Sequence, residues 1–356
     1  MSTTTQALIF TNYPEGMIKE TDFEYTDQVP FNFDQSLDQD QIMVQLLHIS
    51  VDPYLRGRMR KNAMAKHYAA TFQTGKPISS GCVAKVLKSN HSVFKEGDVL
   101  VGHFEWQLHQ IVKIDQDQVK NYQKVDPNIG KIPLSYYLGA LGMPGMTSYF
   151  GFLDICQPKE GDVVVVSAAS GAVGSLVGQI AKIHGCKVIG ITGQPAENQQ
   201  ELKDLGFDVI LNYKDYNNDP IALKDAIEKA AEPKTGIDCY FDNVGGFVLD
   251  AATLAMNRYG RISCCGSISD YNIEDRMSNL GPRLNYLYIT RELSVKGFIV
   301  SSFYNRLDEG VKKMTQWVNE GKLKVLESKV QGLENVPKAL IKLFTGDKFG
   351  KMIIDL

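Results

Sequence analysis

The sequence predicts an α/β protein in two parts, a β-rich domain followed by a doubly wound parallel sheet flanked by helices. Three observations predict it. The chain has 356 residues, enough for two domains at roughly 150 residues each. Its texture changes near residue 138, from short strand-like runs to alternating strand and helix signals. Apolar residues make up 44% and charged residues 22%, the balance of a chain that buries a full core.

Residues 1–137 read as β-rich. Runs at 42–51, 81–87 and 98–102 are strand-like, and turn signals such as Thr74-Gly-Lys-Pro77 and Lys95-Glu-Gly-Asp98 separate them. From 138 the order becomes strand, helix, strand. Residues 162–167 form a continuous β-branched run, as a parallel strand buried on both faces requires. A helix is predicted over 172–184, where Val173, Leu176, Val177, Ile180 and Ala181 share one face. Strands at 187–191, 208–211, 237–241 and 261–265 alternate with helices near 198–205, 221–231 and 248–256. Such a series implies parallel strands with right-handed crossovers. A last strand is predicted over 293–300 and a helix near 307–320. The domains are placed at 1–137 and 138–312, with 313–356 returning to the first.

Charge and cysteines exclude several classes. Lysine plus arginine total 38 against 41 acidic residues, a net charge of −3, which gives no electrostatic reason to expect nucleic acid or an anionic membrane. No apolar run reaches the roughly 18 residues of a membrane span, and the first ten residues lack the basic and apolar regions of a secretory signal. The six cysteines show no C-x-x-C spacing and mostly sit in apolar runs, so they read as buried small hydrophobes in a reducing cytoplasm.

The segment Ser167-Ala-Ala-Ser-Gly-Ala-Val-Gly174 lies between the apolar strand and the amphipathic helix, the context a dinucleotide fingerprint needs. Gly171 lets backbone approach a pyrophosphate, Gly174 lets helix and strand pack closely, and the helix N-terminus offers free N–H groups and the positive end of its dipole. Ala169 replaces the first glycine of the G-x-G-x-x-G pattern. The next strand ends at Thr192-Gly193 without the carboxylate an NAD site places on the ribose hydroxyls. That leaves room for a 2′-phosphate and so leans to NADP, though no arginine is there to bind it.

Five segments together resemble one family: Val51-Asp-Pro-Tyr-Leu-Arg-Gly-Arg-Met59, Leu141-Gly-Met-Pro-Gly-Met-Thr-Ser-Tyr-Phe150, Ala168-Ala-Ser-Gly-Ala-Val-Gly174, Phe241-Asp-Asn-Val-Gly-Gly246 and Cys265-Gly-Ser-Ile-Ser-Asp-Tyr-Asn272. They resemble the zinc-independent medium-chain dehydrogenase/reductases of the prostaglandin reductase and leukotriene hydroxydehydrogenase type. The resemblance runs through nearly the whole chain. It implies a GroES-like catalytic domain with an inserted Rossmann domain, NADPH-dependent reduction of the C=C bond of enals and enones, and a homodimer with its contact near residues 294–300.

The resemblance also carries site residues. Gly171, Ala172, Val173 and Gly174 would meet the pyrophosphate, and Tyr213 the adenosine 2′-phosphate. Asn243 and the run Cys265, Gly266, Ser267, Ile268, Ser269 to Tyr271 would line the adenosine and nicotinamide ribose region. Phe298, Ile299 and Val300 would flank the nicotinamide. Met143 would line the substrate cleft and Thr147 touch the cofactor, unless both are hinge packing. Tyr54 would line the substrate cleft or staple its loop. Two positions depart from the family pattern: Glu197 stands where a lysine pairs with the 2′-phosphate, and Lys348 where asparagine precedes a Gly-Lys pair. The Gly-His-Glu run of zinc enzymes is missing from residues 80–86, and no histidine pair has ligand spacing. A metal-free hydride acceptor must already be electrophilic, as a conjugated enone is. Tyr271 is the expected donor to its carbonyl oxygen, where charge develops. Quinone reduction, or nucleotide binding without catalysis, are the other two readings.

Overall fold

A computed structural model describes residues 3–61, 69–126, 132–346 and 348–356. The chain divides into two compact units, one of residues 1–138, 328–345 and 352–356, the other of 139–327 and 346–351.

The first unit is antiparallel. Thr4–Phe10 lies between Phe23–Pro30 and Lys76–Pro77 in one small sheet. A larger sheet runs through Glu327–Gln331, Lys351–Asp355, Gln41–Ser50, Ser79–Ser89, Val99–Glu105 and Gln123–Val125, with His109–Lys113 also pairing Gln41–Ser50. The C-terminal strand joins by Ile353 opposite Ser50 and Ile354 opposite Ile49. Alternate residues such as Ile42, Val44 and Leu46 face a core that includes Phe10, Phe104 and Trp106, the period-2 pattern of a sheet with one buried face.

The second unit holds the parallel sheet. Its strands are β1 (Val163–Ser167), β2 (Lys187–Thr192), β3 (Val209–Asn212), β4 (Ile237–Asp242), β5 (Met256–Cys264) and β6 (Ser294–Gly297). They lie in the order β3-β2-β1-β4-β5-β6, each neighbouring pair parallel. That order reverses direction between β1 and β4, which makes the carboxyl ends of those strands the crevice where such sheets bind ligands. All five residues of β1 are buried, as a central strand covered on both faces demands. The helices are α1 (Met143–Phe150), α2 (Gly174–Ile183), α3 (Gln199–Asp204), α4 (Pro220–Ala231), α5 (Gly246–Leu254), α6 (Asn285–Thr290) and α7 (Leu307–Asn319).

Four boundaries differ from the sequence reading. The second unit continues to Glu327 instead of ending at 312, because α7 packs on α1. Tyr149 and Trp317 ring centroids are 6.0 Å apart, and Gly310 lies so near Met146 that a Cβ would fall 2.6 Å from its sulfur. Residues 346–351 also belong to the second unit. The strand read at 293–300 is only four residues long, and a 3-10 turn takes over at Val300. Phe298 turns inward there, its ring within 6.3 Å of Phe241 and 6.2 Å of Phe303 between centroids. Helix α2 begins at Gly174, with Ala172 and Val173 in the preceding turn.

Candidate active site

The glycine turn leaves β1 at its carboxyl end, where the strand order reverses. Ala168 takes a left-handed φ of 49°, which turns the chain at once. Ala169 then donates its N–H to Ile191 O at 3.0 Å, and Gly171 donates back to Ala168 O at 2.8 Å. A Cβ on Gly174 would lie 2.9 Å from Ala168 C and 3.0 Å from Ala169 Cα, so only glycine brings α2 this close to the strand. Gly171 is not left-handed. Its Cβ would lie 3.1 Å from Ala168 O and 3.5 Å from Lys348 Nζ. The parallel bridge between Gly171 and Gly350 engages the Ala172 amide, among the described residues no backbone acceptor meets the amide of Val173, and both residues are half-buried. Free amides at the positive end of a helix are donors for a phosphate. The turn therefore fits the pyrophosphate of a dinucleotide.

The tip of β2 shapes the next part. Thr192 is buried, and its hydroxyl lies 3.1 Å from that of Ser170. A Cβ on Gly193 would meet Tyr213 at 2.7 Å from Cε1 and 3.0 Å from the hydroxyl, so the phenol covers Gly193. Lys214 and Glu197 are exposed nearby in sequence, on the turns after β3 and β2. With a phenol and no carboxylate at this tip, the residues fit an adenosine ribose bearing a 2′-phosphate.

A hollow of about 340 Å³ opens at the carboxyl ends of β4 and β5, lined by Asp242, Gly245, Cys265, Gly266, Ser267 and Asp270 among others. Asp242 organises it. Its Oδ1 accepts from Tyr240 Oη at 2.7 Å, Gly245 N at 2.9 Å, Val244 N at 3.0 Å and Ser167 Oγ at 3.3 Å. Burial raises the Asp242 carboxyl above its usual range, against the lowering effect of these donors. Gly245, at φ 71°, supplies the left-handed step that lets both amides point back at Asp242. The hollow is tied to the glycine turn through Ser167. Asn243 N donates to Ser167 Oγ at 2.9 Å, and Asn243 Nδ2 to Ser167 O at 2.8 Å. That fixes the side-chain amide by one of its two hydrogens and leaves Oδ1 to accept from a ligand hydroxyl.

Tyr271 closes the loop after β5. Its hydroxyl accepts from Ser267 N at 3.4 Å and lies 3.3 Å from where a Cβ on Gly266 would be. Accepting there orients the phenol. Cys264 and Cys265 are half-buried at this edge, and burial pushes their thiols up to about 11 and 12. Ile268 and Ser269 form a 3-10 turn in which Ser269 Oγ donates to Val244 O at 2.6 Å.

The remaining candidates are placed less simply. The Phe298 ring packs on Gly151, where a Cβ would come within 2.7 Å of it, so that side chain is committed to the core. Ile299 is 40% exposed, and Val300 is buried. Thr147 is buried and donates to Met143 Sδ at 3.6 Å, which is packing within α1. Tyr54 lies in the first unit and packs against that unit's core. The structure thus gathers the glycine turn, Thr192, Gly193, Tyr213, Asn243, the 265–271 loop and Lys348 on the second unit. The sequence reading missed Asp242, Ser167 and Gln194. A carboxylate ending a buried apolar strand was the available signal for the first.

Two family models match, an N-terminal domain of oxidoreductase over residues 6–121 and a zinc-binding dehydrogenase over 172–320. The chain is 39% identical to a 2-alkenal reductase (NADP(+)-dependent) of Nicotiana tabacum over 349 residues, 98% of this chain and 96% of the other. It is 38% identical to prostaglandin reductase 1 of Bos taurus over 352 residues, 97% and 96% of the two chains. It superimposes on CurA from Vibrio vulnificus, solved with NADPH, at a TM-score of 0.84 with 36% identity over 98% of each chain. The chain belongs to the medium-chain dehydrogenase/reductase family, in the group of the alkenal and prostaglandin reductases. It is an NADP-dependent oxidoreductase of two domains, GroES-like and Rossmann. Among the described residues no group of three or more His, Cys, Asp or Glu could hold a metal ion, and no described helix is long and apolar enough to cross a membrane.

Proposed function

We propose that the protein reduces the C=C double bond of α,β-unsaturated aldehydes and ketones with NADPH, and does so without a metal ion. When bound, reduced nicotinamide supplies the hydride that adds to the β-carbon of the substrate. The observation that carries the reading is the Tyr271 phenol, oriented by Ser267 N at the edge of the hollow joined to the glycine turn. Its proton meets the carbonyl oxygen as negative charge develops there, a contact worth about 2.7–4 kcal/mol in sites of this kind. The amide of Val173 and the N-terminal end of α2 hold the phosphates, Asn243 Oδ1 takes a ribose hydroxyl, and Tyr213 covers the 2′-phosphate.

The unit also carries an unpaired sheet edge. All four residues of β6 are exposed, and Tyr286 (54%), Ile289 (75%) and Val295 (44%) add apolar surface beside it. An exposed parallel edge with an apolar flank needs cover, and a second copy of this chain, β6 against β6 about a twofold axis, provides it. The six cysteines, none paired, accord with a reducing cytoplasm.

The decisive assay follows NADPH oxidation with a medium-chain 2-alkenal before and after EDTA, with product analysis for the saturated aldehyde. Turnover unaffected by EDTA supports the proposal. Inhibition by the chelator, or an alcohol product, overturns it. Sedimentation of the protein and of Val295→Lys tests the dimer, which the variant should dissociate.

A further inference from the structure

We propose that Gln194 acts as a positioning residue that clasps the backbone at Gly346 and Lys348, so that Lys348 meets the pyrophosphate common to NADPH and NADH, not the 2′-phosphate that distinguishes them. The inference rests on the dinucleotide site described above and deepens it.

Gln194 stands at the tip of β2, yet it is 5% exposed and turned away from solvent. Its Nε2 donates both hydrogens to backbone of the loop, to Gly346 O at 2.7 Å and Lys348 O at 2.6 Å. Its Oε1 accepts from Asn198 Nδ2 at 3.1 Å, and its own N–H goes to Thr192 Oγ1 at 3.2 Å. With both amide hydrogens already given to the loop, this side chain has none to offer a nucleotide. The loop is tied on the other side of Lys348 as well, where Gly350 N donates to Ser170 O at 2.7 Å and Gly350 bridges Gly171. These two ties fix the backbone around Lys348, and its ammonium comes 3.5 Å from the position of a Cβ on Gly171.

That places a cation beside the amide of Val173 and the N-terminal end of α2. A cation there adds to the positive end of the helix instead of opposing it, and the three together form a site for an anion. The tip of β2 offers no comparable charge. It presents the Tyr213 phenol over Gly193, with Lys214 and Glu197, of opposite sign, both exposed on the turns. The fixed charge of this chain therefore serves the part of the cofactor shared by both dinucleotides. It should raise affinity without raising preference.

The test is equilibrium titration of the full chain with NADPH, NADH and ADP-ribose, followed calorimetrically. Lys348→Met should weaken all three by the same factor, roughly tenfold for one charge-assisted contact, and Lys348→Arg should restore most of it. Gln194→Met should weaken all three similarly, and the double variant should be no weaker than Lys348→Met alone, since both changes act through one ammonium. A loss confined to NADPH, or no loss in Lys348→Met, overturns the assignment of the charge. Additive losses in the double variant overturn the clasp. Wild-type protein that binds none of the three would instead sink the dinucleotide site itself.

Discussion

Adding one methyl group at either of two glycines should separate binding from folding. At Gly174 the new Cβ would lie 2.9 Å from Ala168 C and 3.0 Å from Ala169 Cα, where carbon pairs settle at about 3.5–4.0 Å. Both neighbours are backbone of the turn, so relief requires α2 to move off β1. Overpacking of this kind costs about 1–3 kcal/mol. For a unit in the roughly 150–250-residue range, that lowers Tm by about 2–12 °C. At Gly171 the nearest atom is Ala168 O at 3.1 Å, and the backbone is not left-handed, so Ala fits after a shift of a few tenths of an ångström. The entropy lost by the unfolded chain offsets about 0.4–1 kcal/mol of that strain. Yet the methyl stands beside Lys348 at the N-terminal end of α2, where a pyrophosphate has to come. Gly171→Ala should keep its Tm within about 2 °C and lose at least about tenfold in NADPH affinity, or about 1.4 kcal/mol. Differential scanning fluorimetry without ligand and fluorescence titration with NADPH read the two effects. The reasoning fails if Gly171→Ala binds NADPH like wild type, or if Gly174→Ala melts unchanged.

Three further outcomes follow from the same geometry. Tyr271→Phe should cut turnover of an alkenal about 100-fold while leaving NADPH affinity unchanged; equal loss with alkenals and quinones would remove the phenol from enone activation. Asp242→Ala leaves four donors around Oδ1 without an acceptor and should destabilise the second unit by about 3 kcal/mol or more, whereas Asp242→Asn, which keeps an oxygen there, should lose far less; equal melting of both variants would refute this. Cys264 and Cys265, at about 11 and 12, are raised thiols, so the reactive thiolate appears only as pH climbs toward those values. At pH 7.5 both are held almost wholly as thiols, whereas an ordinary exposed thiol is already roughly one-tenth ionised. Mass spectrometry after N-ethylmaleimide should find both unmodified at pH 7.5 and increasingly modified above pH 9, and prompt labelling at neutral pH would contradict the burial effect.

Parts of the fold were legible because one physical cause dominated them. The run Val163–Ser167 reads as a central strand since four consecutive valines suit a sheet covered on both faces. Strand order was not legible, because neighbouring strands share the same apolar composition and no local signal says which will pair. The end of the unit was misjudged for a related reason. The amphipathic pattern of Leu307–Asn319 shows that one face is buried without showing against what, and the contact that decides it is between Gly310 and Met146, far apart in sequence. At Phe298 the apolar run extended the predicted strand, but burial there comes from a turned ring on Gly151, which hydrophobicity alone cannot distinguish from strand pairing.

The site divides along the same line. Gly171 and Gly174 were readable since their absence of a side chain is the function, and it shows at a fixed distance from a strand and a helix. Gln194 acts through backbone distant in sequence, and nothing in its own neighbourhood reveals that its partners are Gly346 O and Lys348 O, nor does anything beside Asp242 reveal its tie to Ser167. This difference bears on cofactor choice. A sequence comparison sees Glu197 in place of a lysine and infers a weakened 2′-phosphate site. The structure shows a lysine supplied from residue 348, but at the glycine turn, so the replaced charge restores grip on the dinucleotide without restoring selection for the phosphate. Discrimination then depends on the Tyr213 phenol and on the missing carboxylate at Thr192-Gly193, which exclude nothing from an NADH ribose. A modest NADPH preference, measured as the ratio of the two dissociation constants, is the expected result, and a preference above about 1,000-fold, or about 4 kcal/mol, would require a fixed charge at the tip of β2 that these residues do not supply.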